Sequence, residues 1–252
     1  MEKKSPSFIS DWKYLSTTRN LQSQRFYVIK HCENHIMLIT NNSTKNINLT
    51  SKHDWEIIEV FSDFDVEKEI NIENGEKITY LVVNTKSKSD FIFNVNHENS
   101  CLDLNFLFVW KKNKTNKWNI ICNINASNTK VNIYILSFLT DKSEIDVDWN
   151  ITINKNVKNV KWHLVEEYII LWEKIKIKTK PILNIYSKDI QASHGAKIEK
   201  IDNEKLFYLT SKWIDNLKAK NLIIDGYLTT LFDKFKNTKE TEKLKQKIIK
   251  NL

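Results

Sequence analysis

Glycine and proline are scarce in this chain, which has three glycines and two prolines among its 252 residues. The Rossmann fingerprint and the phosphate-binding loop both need several glycines, because the backbone must approach a phosphate group closely there. The sequence therefore excludes nucleotide binding through either loop. Long apolar stretches are lacking too. No run approaches the ~18 residues of a membrane-spanning helix, and the first residues hold no apolar signal region, so no membrane partner is expected.

Cysteine is also sparse, and its spacing is uninformative about metals. Cys32, Cys101 and Cys122 lie far apart and form no CxxC motif. An odd number of isolated cysteines favours reduced thiols over a disulfide framework, and it argues against a structural zinc site. We interpret Cys122, at an apolar position of a repeat, as a small buried hydrophobic residue. The six histidines show neither HExxH nor HxH spacing.

Two acidic pairs are candidates for acid–base chemistry. Glu166 and Glu167 are neighbours, and neighbours on a strand point to opposite faces and cannot share a substrate. Asp146 and Asp148 share a face, but no second acidic pair stands at the corresponding positions of the adjacent repeats. We therefore expect both pairs to be exposed to solvent.

The charge balance is basic but uneven. The net charge is +8, and residues 236–252 alone contain six lysines and two glutamates. The rest of the chain carries little excess charge, so a solvated lysine-rich surface is favoured and no nucleic-acid partner is expected. Asparagine occurs 30 times beside abundant lysine and isoleucine, a bias typical of an AT-rich coding genome.

Short alternating segments dominate from about residue 25 to residue 190, and segments 26–29, 35–40 and 55–61 are predicted strands. Apolar–polar–apolar triplets begin at Ile70, Phe93, Cys122 and Ile151, in steps of 23, 29 and 29 residues. Each triplet is followed by a polar turn and a longer alternating strand. Such a repeat favours a β-solenoid, with the hairpins of a β-sandwich as the alternative.

The periodicity becomes helical after Gly195. Asp202 and Asp215 are suitable N-caps for a short and a longer helix, and Thr238 for a last one. The second helix carries an apolar stripe, and Gly226 within it is expected to permit close helix packing. The stripe consists of Leu217, Ile224, Leu228, Leu231 and Phe235. We predict an N-terminal segment over residues 1–24, a β-core over 25–195 and a helical domain over 196–252.

The residues that are rare elsewhere collect around His194. One of the two prolines and two of the three glycines lie between Pro181 and Gly226. We expect His194 and Gly195 to stand where the last strand turns into the helical region. There Gly195 can take a positive φ or admit a neighbouring backbone.

This region resembles the C-terminal signature of the SufD family, one of two paralogous scaffold families of the Suf iron–sulphur cluster assembly machinery. The resemblance covers residues 178–228 without obvious gaps, and residues 11–15 are similar to an element that precedes the family's β-core. The matching motifs are Lys180-Pro181-Ile182-Leu183, Ser193-His194-Gly195-Ala196, Leu206-Phe207-Tyr208-Leu209 and Gly226-Tyr227-Leu228.

The resemblance implies a mainly β fold, namely a right-handed parallel β-helix with a C-terminal α-helical domain. It further implies pairing with a SufB-like protein and binding of a SufC-type ABC ATPase through the C-terminal helices. His194, flanked by Ser193 and Gly195, matches the histidine that faces a SufB cysteine at the cluster-building interface. The implied ATPase-docking residues are Leu206, Phe207, Tyr208, Leu209, Gly226, Tyr227 and Leu228.

The expected function is thus a non-catalytic scaffold subunit that binds no stable cofactor alone and carries a transient iron–sulphur cluster with its partner. His194 is a possible iron ligand, and a purely hydrogen-bonding role is the alternative. Two other functions stay open, a homodimeric scaffold that works with the ATPase alone and, more distantly, a glycan-binding solenoid. The expected compartment is the cytoplasm, with a plastid-type organelle as the alternative.

One residue departs from the family pattern, and another distinguishes between the two scaffold families. Trp213 stands where the family usually has glycine, so the turn between the first two helices is expected to differ. Ala192 leaves no cysteine next to His194, which is consistent with SufD and argues against SufB.

Overall fold

Two sheets of mostly parallel strands, wound from one continuous chain, form the body of the protein. The structure is a computed structural model that describes residues 26–32, 35–41, 46–50, 54–61, 65–74, 77–84, 88–109, 115–140, 142–172, 174–235 and 239–252. The expected N-terminal segment, the element at residues 11–15 and Thr238 lie outside these residues. The strands are β1 (Phe26–Cys32), β2 (His35–Asn41), β3 (Ile47–Leu49), β4 (Asp54–Phe61), β5 (Val66–Ile72), β6 (Lys77–Asn84), β7 (Lys88–Val95), β8 (Cys101–Val109), β9 (Thr115–Ile124), β10 (Lys130–Leu139), β11 (Glu144–Ile153), β12 (Val160–Ile170), β13 (Lys176–Ile185) and β14 (Ile190–Lys200).

From β3 onward the chain alternates between the sheets, so that each turn contributes one strand to each. One sheet has the order β1-β2-β4-β6-β8-β10-β12-β14 and the other β13-β11-β9-β7-β5-β3. Only β1 and β2 pair in antiparallel fashion among the described strands. Because every turn contacts its neighbours in sequence, the architecture is a parallel β-solenoid and not a sandwich of hairpins.

The sequence repeat matches the register in which the strands of successive turns pair. Ile70 stands beside Phe93, Phe93 beside Cys122, and Cys122 beside Ile151, as the steps of the triplets predict. The longer strand that follows the fourth triplet departs from this step by two residues, because Val131 pairs with Trp162 and not with Val160, the residue one 29-residue step after it. The prediction of a solenoid is confirmed at the level of individual residue pairs.

Asparagine supports the solenoid in two ways. Asn94 donates from Nδ2 to Asn71 at 2.7 Å and accepts from Asn123 at 2.8 Å, forming a ladder across successive turns. Asn99, Asn128 and Asn159 take φ values of 61°, 58° and 52° at the turns before β8, β10 and β12. Asparagine tolerates this left-handed region better than other non-glycine residues, so tight turns form with little glycine.

Alternate side chains of both sheets fill the interior, as the period of two requires. Phe106 is fully buried at its centre, with its ring 5.3 Å from Trp149 and 6.0 Å from Phe93, measured between centroids. Both pairs are T-shaped, a geometry that aromatic quadrupoles favour. The interior is thus a continuous stack of aromatic and aliphatic side chains along the solenoid.

A polar cluster interrupts this stack near its first turns. Glu59, Lys68 and Tyr80 point inward and are buried, and Glu59 accepts hydrogen bonds from both the Lys68 ammonium and the Tyr80 hydroxyl. Burial lowers the pKa of Lys68, although the adjacent Glu59 charge opposes the shift. Because each charged group has a partner, the cluster avoids the full cost of an unpaired buried charge.

Three helices, α1 (Asn203–Ser211), α2 (Asn216–Phe232) and α3 (Lys239–Asn251), complete the fold. Asp202 caps α1 by accepting from Glu204 and Lys205 N–H, and Asp215 caps α2 in the same way, as predicted. The expected boundary between residues 195 and 196 falls inside β14, which continues to Lys200. None of the described helices is long and apolar enough to cross a membrane.

The helices cover the outer face of the eight-stranded sheet. Ile224, Leu228 and Leu231 of α2 pack on outward side chains of that sheet, among them Leu107 and Phe138. Leu217 was expected in this stripe but is 68% exposed. It lies in the first turn of α2, next to the cap. Gly226 was expected to permit close helix packing, but a Cβ placed on it would meet nothing within 4 Å, so this prediction is wrong.

Replacing Phe106 with alanine tests whether the aromatic stack holds the solenoid together. We expect a loss of about 3–5 kcal/mol in the free energy of unfolding, because a fully buried ring leaves a cavity. Phe207→Ala is the matched control, since Phe207 is 74% exposed, and it should change stability by less than about 0.5 kcal/mol. Urea denaturation midpoints measure both. Equal effects of the two substitutions would contradict this description of the core.

Candidate functional site

The last turn of the solenoid is open. No described strand pairs with the outer edge of β14 or of β13. The bonds from Ile201 N–H to Ile170 O and from Val160 N–H to Asp189 O turn the odd-numbered residues of β14 toward β12. Since backbone groups alternate along a strand, the N–H and C=O groups of Ala192, His194 and the even-numbered residues after them point to the open edge.

The edge of β13 differs from that of β14. Lys176 and Tyr186 donate their N–H groups to the carbonyls of Ser143 and Ile153 on the preceding turn, so the backbone groups of the odd-numbered residues of β13 face the open edge. Pro181 is one of these and has no N–H to donate, which interrupts the row of donors. The edge of β14 contains no proline. It is therefore the continuous template for an added strand.

Apolar side chains on the same turn are uncovered. Leu183, Ile185 and Ile198 stand beside inward residues of the preceding turn, yet they are 41%, 39% and 56% exposed. In the preceding turn Ile153 and Tyr168 have no exposed surface. The interior of the solenoid thus reaches the surface at this end, together with an unpaired strand.

His194 lies at this open end, in the middle of β14. It was expected at a turn into the helices, but the strand continues for six residues beyond it, to Lys200. His194 stands beside the inward residue Leu164, and its side chain is 28% exposed. Its Nε2 atom is 3.0 Å from Oε2 of Glu166. The histidine that the resemblance points to is therefore at the rim of the interior and held by a carboxylate.

Glu166 was expected at the surface, and this prediction is wrong. Its side chain is fully buried, because it follows Trp162 and Leu164 on the inward face of β12 and precedes Tyr168 there. Oε1 accepts hydrogen bonds from the hydroxyls of Tyr168 at 2.9 Å and Thr179 at 2.8 Å. Glu167 points outward and accepts from Tyr134 at 2.7 Å. The alternation Trp162, Leu164, Tyr168 was the sequence signal that placed Glu166 inside.

The two neighbours of His194 point the other way. Ser193 contacts the ring of His163 on the outer face of the sheet. Gly195 is outside the left-handed region, and a Cβ placed on it would meet nothing within 4 Å. Neither a positive φ nor the close approach of a described backbone explains this glycine.

The proposed docking residues separate into exposed and buried groups. Phe207 and Tyr208 on α1 are 74% and 63% exposed. Leu206, Leu209 and Tyr227 are half-buried, and Gly226 is exposed. Leu228 is fully buried against the sheet, so it stabilises the helical layer and has no surface to offer a partner.

Trp213 follows the C-cap of α1 and has a backbone conformation that favours glycine. Its φ is 64°, its N–H donates to Thr210 O, and the N–H of Ile214 donates to Leu209 O. This is the pattern of a Schellman motif, whose left-handed residue is usually glycine. Trp213 is 98% exposed, so no packing offsets the unfavourable φ. The turn was expected to differ from a glycine turn, but it uses the φ that glycine adopts.

The cysteines are remote from His194. Cys122 is fully buried in β9, as predicted, and burial raises its pKa to about 12. Cys101 is half-buried, and burial, followed by the nearby Asp103, raises its pKa as well. Nothing is described of the Cys32 side chain. Within the described residues, no group of three or more histidine, cysteine, aspartate or glutamate side chains could hold a metal ion.

Fold and site together define a class of protein: a β-solenoid whose eight-stranded sheet is covered by helices on its outer face. Its last turn is open and carries a histidine that hydrogen-bonds to a buried carboxylate. The family model described as "SUF system FeS cluster assembly, SufBD core domain" matches residues 66–227. This match covers more than half of the chain, which therefore belongs to the SufBD core family.

Curated relatives agree with the family. The "Iron-sulfur cluster assembly protein SufD" of Escherichia coli is 26% identical over 162 residues, 62% of this chain and 36% of that protein. The SufD of Bacillus subtilis is 37% identical over 60 residues, 24% of this chain and 14% of the relative. "Protein ABCI7, chloroplastic" of Arabidopsis thaliana is 27% identical over 90 residues, 36% of this chain and 19% of the relative. The matches thus span well under half the length of these relatives.

Replacing Trp213 with glycine tests the strain in the α1–α2 turn. We expect the free energy of unfolding to rise by about 1 kcal/mol, because glycine removes the clash of Cβ at positive φ. Lys212→Gly is the matched control, since Lys212 has a φ of −92°, and it should not stabilise the protein. Thermal unfolding of the two variants measures the difference. A Trp213→Gly variant less stable than the parent would contradict the assignment of strain.

Proposed function

We propose that this protein is a non-catalytic scaffold subunit of an iron–sulphur cluster assembly complex. The observation that carries the proposal is the open last turn, where His194 stands at the rim of the interior beside an unpaired strand. Membership of the SufBD core family and the names of the relatives support a role in iron–sulphur cluster assembly. Bacterial and chloroplastic proteins are among those relatives, so cytoplasm and plastid both agree with the proposal.

The open edge of β14 is the proposed contact with a SufB-like partner. Joining two strand edges gives hydrogen-bond partners to both rows of backbone groups, and it covers the apolar side chains of the last turn. Leu183 and Ile198 would then be buried together with His194. A second copy of this chain offers the same edge, so a homodimeric scaffold is the alternative.

The cluster is the cargo of this interface, and we propose that the partner supplies its thiolates. Iron–sulphur clusters are held mostly by cysteine thiolates, while histidine replaces cysteine in some of them. Cys122 lies two turns from the open end and is buried as a neutral thiol. His194 is therefore the ligand that this chain would bring to a cluster shared with the partner.

The helical layer is the proposed docking site for a SufC-type ATPase. Phe207, Tyr208 and Trp213 expose large aromatic side chains on α1 and on the turn that follows. Exposed apolar surface of this kind marks interaction sites, and aromatic anchors dominate the affinity of protein interfaces. The buried Leu228 is left out of the docking set for the reason given above. A glycan-binding solenoid is not favoured, because the exposed aromatic side chains of the described residues do not follow one face of the sheets.

His194→Ala tests the interface histidine. When the chain is co-expressed with its SufB-like partner and the ATPase, we expect the yield of complex to stay unchanged, because strand pairing uses the backbone. Bound iron and sulphide should fall. His163→Ala, one turn away on the outer face, is the control and should leave both unchanged. A proportional fall of yield and iron in His194→Ala would make the residue structural and contradict the proposal.

Phe207→Ala and Tyr208→Ala test the docking surface. Each should weaken ATPase binding by about 2 kcal/mol, the effect of truncating a well-buried aromatic anchor. Tyr186→Ala removes a ring that is 62% exposed on the solenoid and serves as the control. Calorimetric titration of each variant with the ATPase gives the affinities. Unchanged affinity in both α1 variants would remove α1 from the interface.

The isolated chain should hold no stable iron–sulphur cluster, because its cysteines are scattered and Cys122 is inaccessible. Anaerobic reconstitution with iron and sulphide, followed by desalting and iron analysis, measures this directly. The same reconstitution with the partner present is the positive control. A stoichiometric cluster on the isolated chain that disappears when its cysteines are replaced would contradict the shared site.

A further inference from the structure

We propose that Glu166 is a positioning residue that holds His194 as the Nε2–H tautomer and leaves Nδ1 as the ligating atom. The identity of the ligand as iron rests on the proposed function, whereas the tautomer is inferred from hydrogen bonds within this chain. Oε2 of Glu166 is 3.0 Å from Nε2 of His194. The carboxylate has no exposed surface, whereas the imidazole side chain is 28% exposed. The fixed partner is thus inside the solenoid, and the ring it holds reaches the open end.

The surroundings of Glu166 decide the direction of this hydrogen bond. Oε1 already accepts from Tyr168 and Thr179, at 2.9 and 2.8 Å. Burial raises the pKa of Tyr168 far above its usual value, and the Glu166 charge adds to the shift, so the phenol stays a donor. A carboxylate that two hydroxyl donors stabilise is an acceptor at its other oxygen too. The proton between Oε2 and the ring therefore belongs to Nε2.

A neutral imidazole has one N–H and one lone pair, so a proton fixed on Nε2 leaves the lone pair on Nδ1. No other residue in the described part of the chain hydrogen-bonds to the His194 ring. A histidine that donates one ring N–H to a carboxylate is oriented, and made more basic, at its other nitrogen; this arrangement is common around protein-bound metals. Nδ1 of His194 is accordingly suited to an iron atom of the cargo.

The network also fixes the ring in space. Glu166 and Tyr168 are on β12 of one sheet, and Thr179 is on β13 of the other. The hydrogen bonds therefore join the last turns of both sheets across the interior, directly behind His194 on β14. Because backbone pairing of β14 with β12 sets the distance between His194 and Glu166, the ring is oriented before any partner binds.

The tautomer can be read in the isolated full chain, without partner or iron. Histidine labelled with ¹⁵N is observed by NMR at about pH 8.5, above the usual titration range of imidazole, and a His194→Gln spectrum assigns the ring. In the parent chain we expect the proton on Nε2. Glu166→Gln, which keeps the shape of the side chain, should shift the population toward the Nδ1–H tautomer. Glu167→Gln is the matched control on the outer face and should leave the spectrum of His194 unchanged.

Two results would overturn the positioning role. The first is a proton on Nδ1 in the parent chain, a result that does not depend on the folding of Glu166→Gln. The second is an unchanged tautomer in a folded Glu166→Gln chain.

The consequence for the cargo is tested in the complex with the SufB-like partner and the ATPase. Glu166→Gln should leave the yield of complex unchanged and lower the affinity for iron by about tenfold to hundredfold, as loss of a partner to a metal-ligating histidine does. Glu167→Gln should retain the bound iron of the parent. If His194→Ala lowers bound iron but Glu166→Gln does not, the positioning role is wrong and the proposed function stands. If neither variant lowers it, the proposed function fails.

Discussion

A parallel solenoid must end somewhere, and the last strand then has no neighbour for half of its backbone groups. Inside the solenoid every strand is satisfied by the turns on either side, and side chains stack from turn to turn. At β14 both conditions fail together, because one row of N–H and C=O groups is unpaired and Ile198 is 56% exposed. The position of His194, the continuity of the edge and the proposed contact with a partner all depend on this termination.

Other parts of the structure satisfy one outer face and the polar groups of the second sheet. Helix α2 packs on the outer face of the eight-stranded sheet through Leu228 and Leu231, and the asparagine ladder centred on Asn94 satisfies polar groups along the other sheet. Pro181 blunts the edge of β13. Among the described residues, large apolar side chains are exposed on the last turn of the solenoid, for example Leu183 and Ile198, and on α1 and the turn after it, for example Phe207 and Trp213. Those two places are the proposed contacts with a SufB-like protein and an ATPase.

Much of this architecture could be predicted from the sequence. A period of two fixes which side chains point inward, and the triplets at Ile70, Phe93 and Cys122 gave the register residue by residue. The caps at Asp202 and Asp215 were equally predictable, because their side chains act locally on the next N–H groups. Resemblance to the SufD family, and not pattern, pointed to His194.

Glu166 and the end of β14 were misplaced because residues from other turns of the solenoid complete their surroundings. Glu166 was interpreted as one of an exposed pair, although donors from Tyr168, Thr179 and His194 satisfy it inside. The end of β14 was missed because alanine, serine and glycine around His194 give a weak strand signal, while pairing with β12 extends the strand to Lys200.

The measurement that most directly tests the account is amide hydrogen exchange along β14, residue by residue, with and without the SufB-like partner. The account predicts that the N–H groups of Ala192, His194, Ala196 and Ile198 exchange rapidly in the free chain and become protected in the complex. The odd-numbered residues between them, which bond to β12, should be protected in both states. A stable complex in which the even-numbered amides exchange as fast as in the free chain would contradict the central claim that the open edge of the solenoid is the assembly interface.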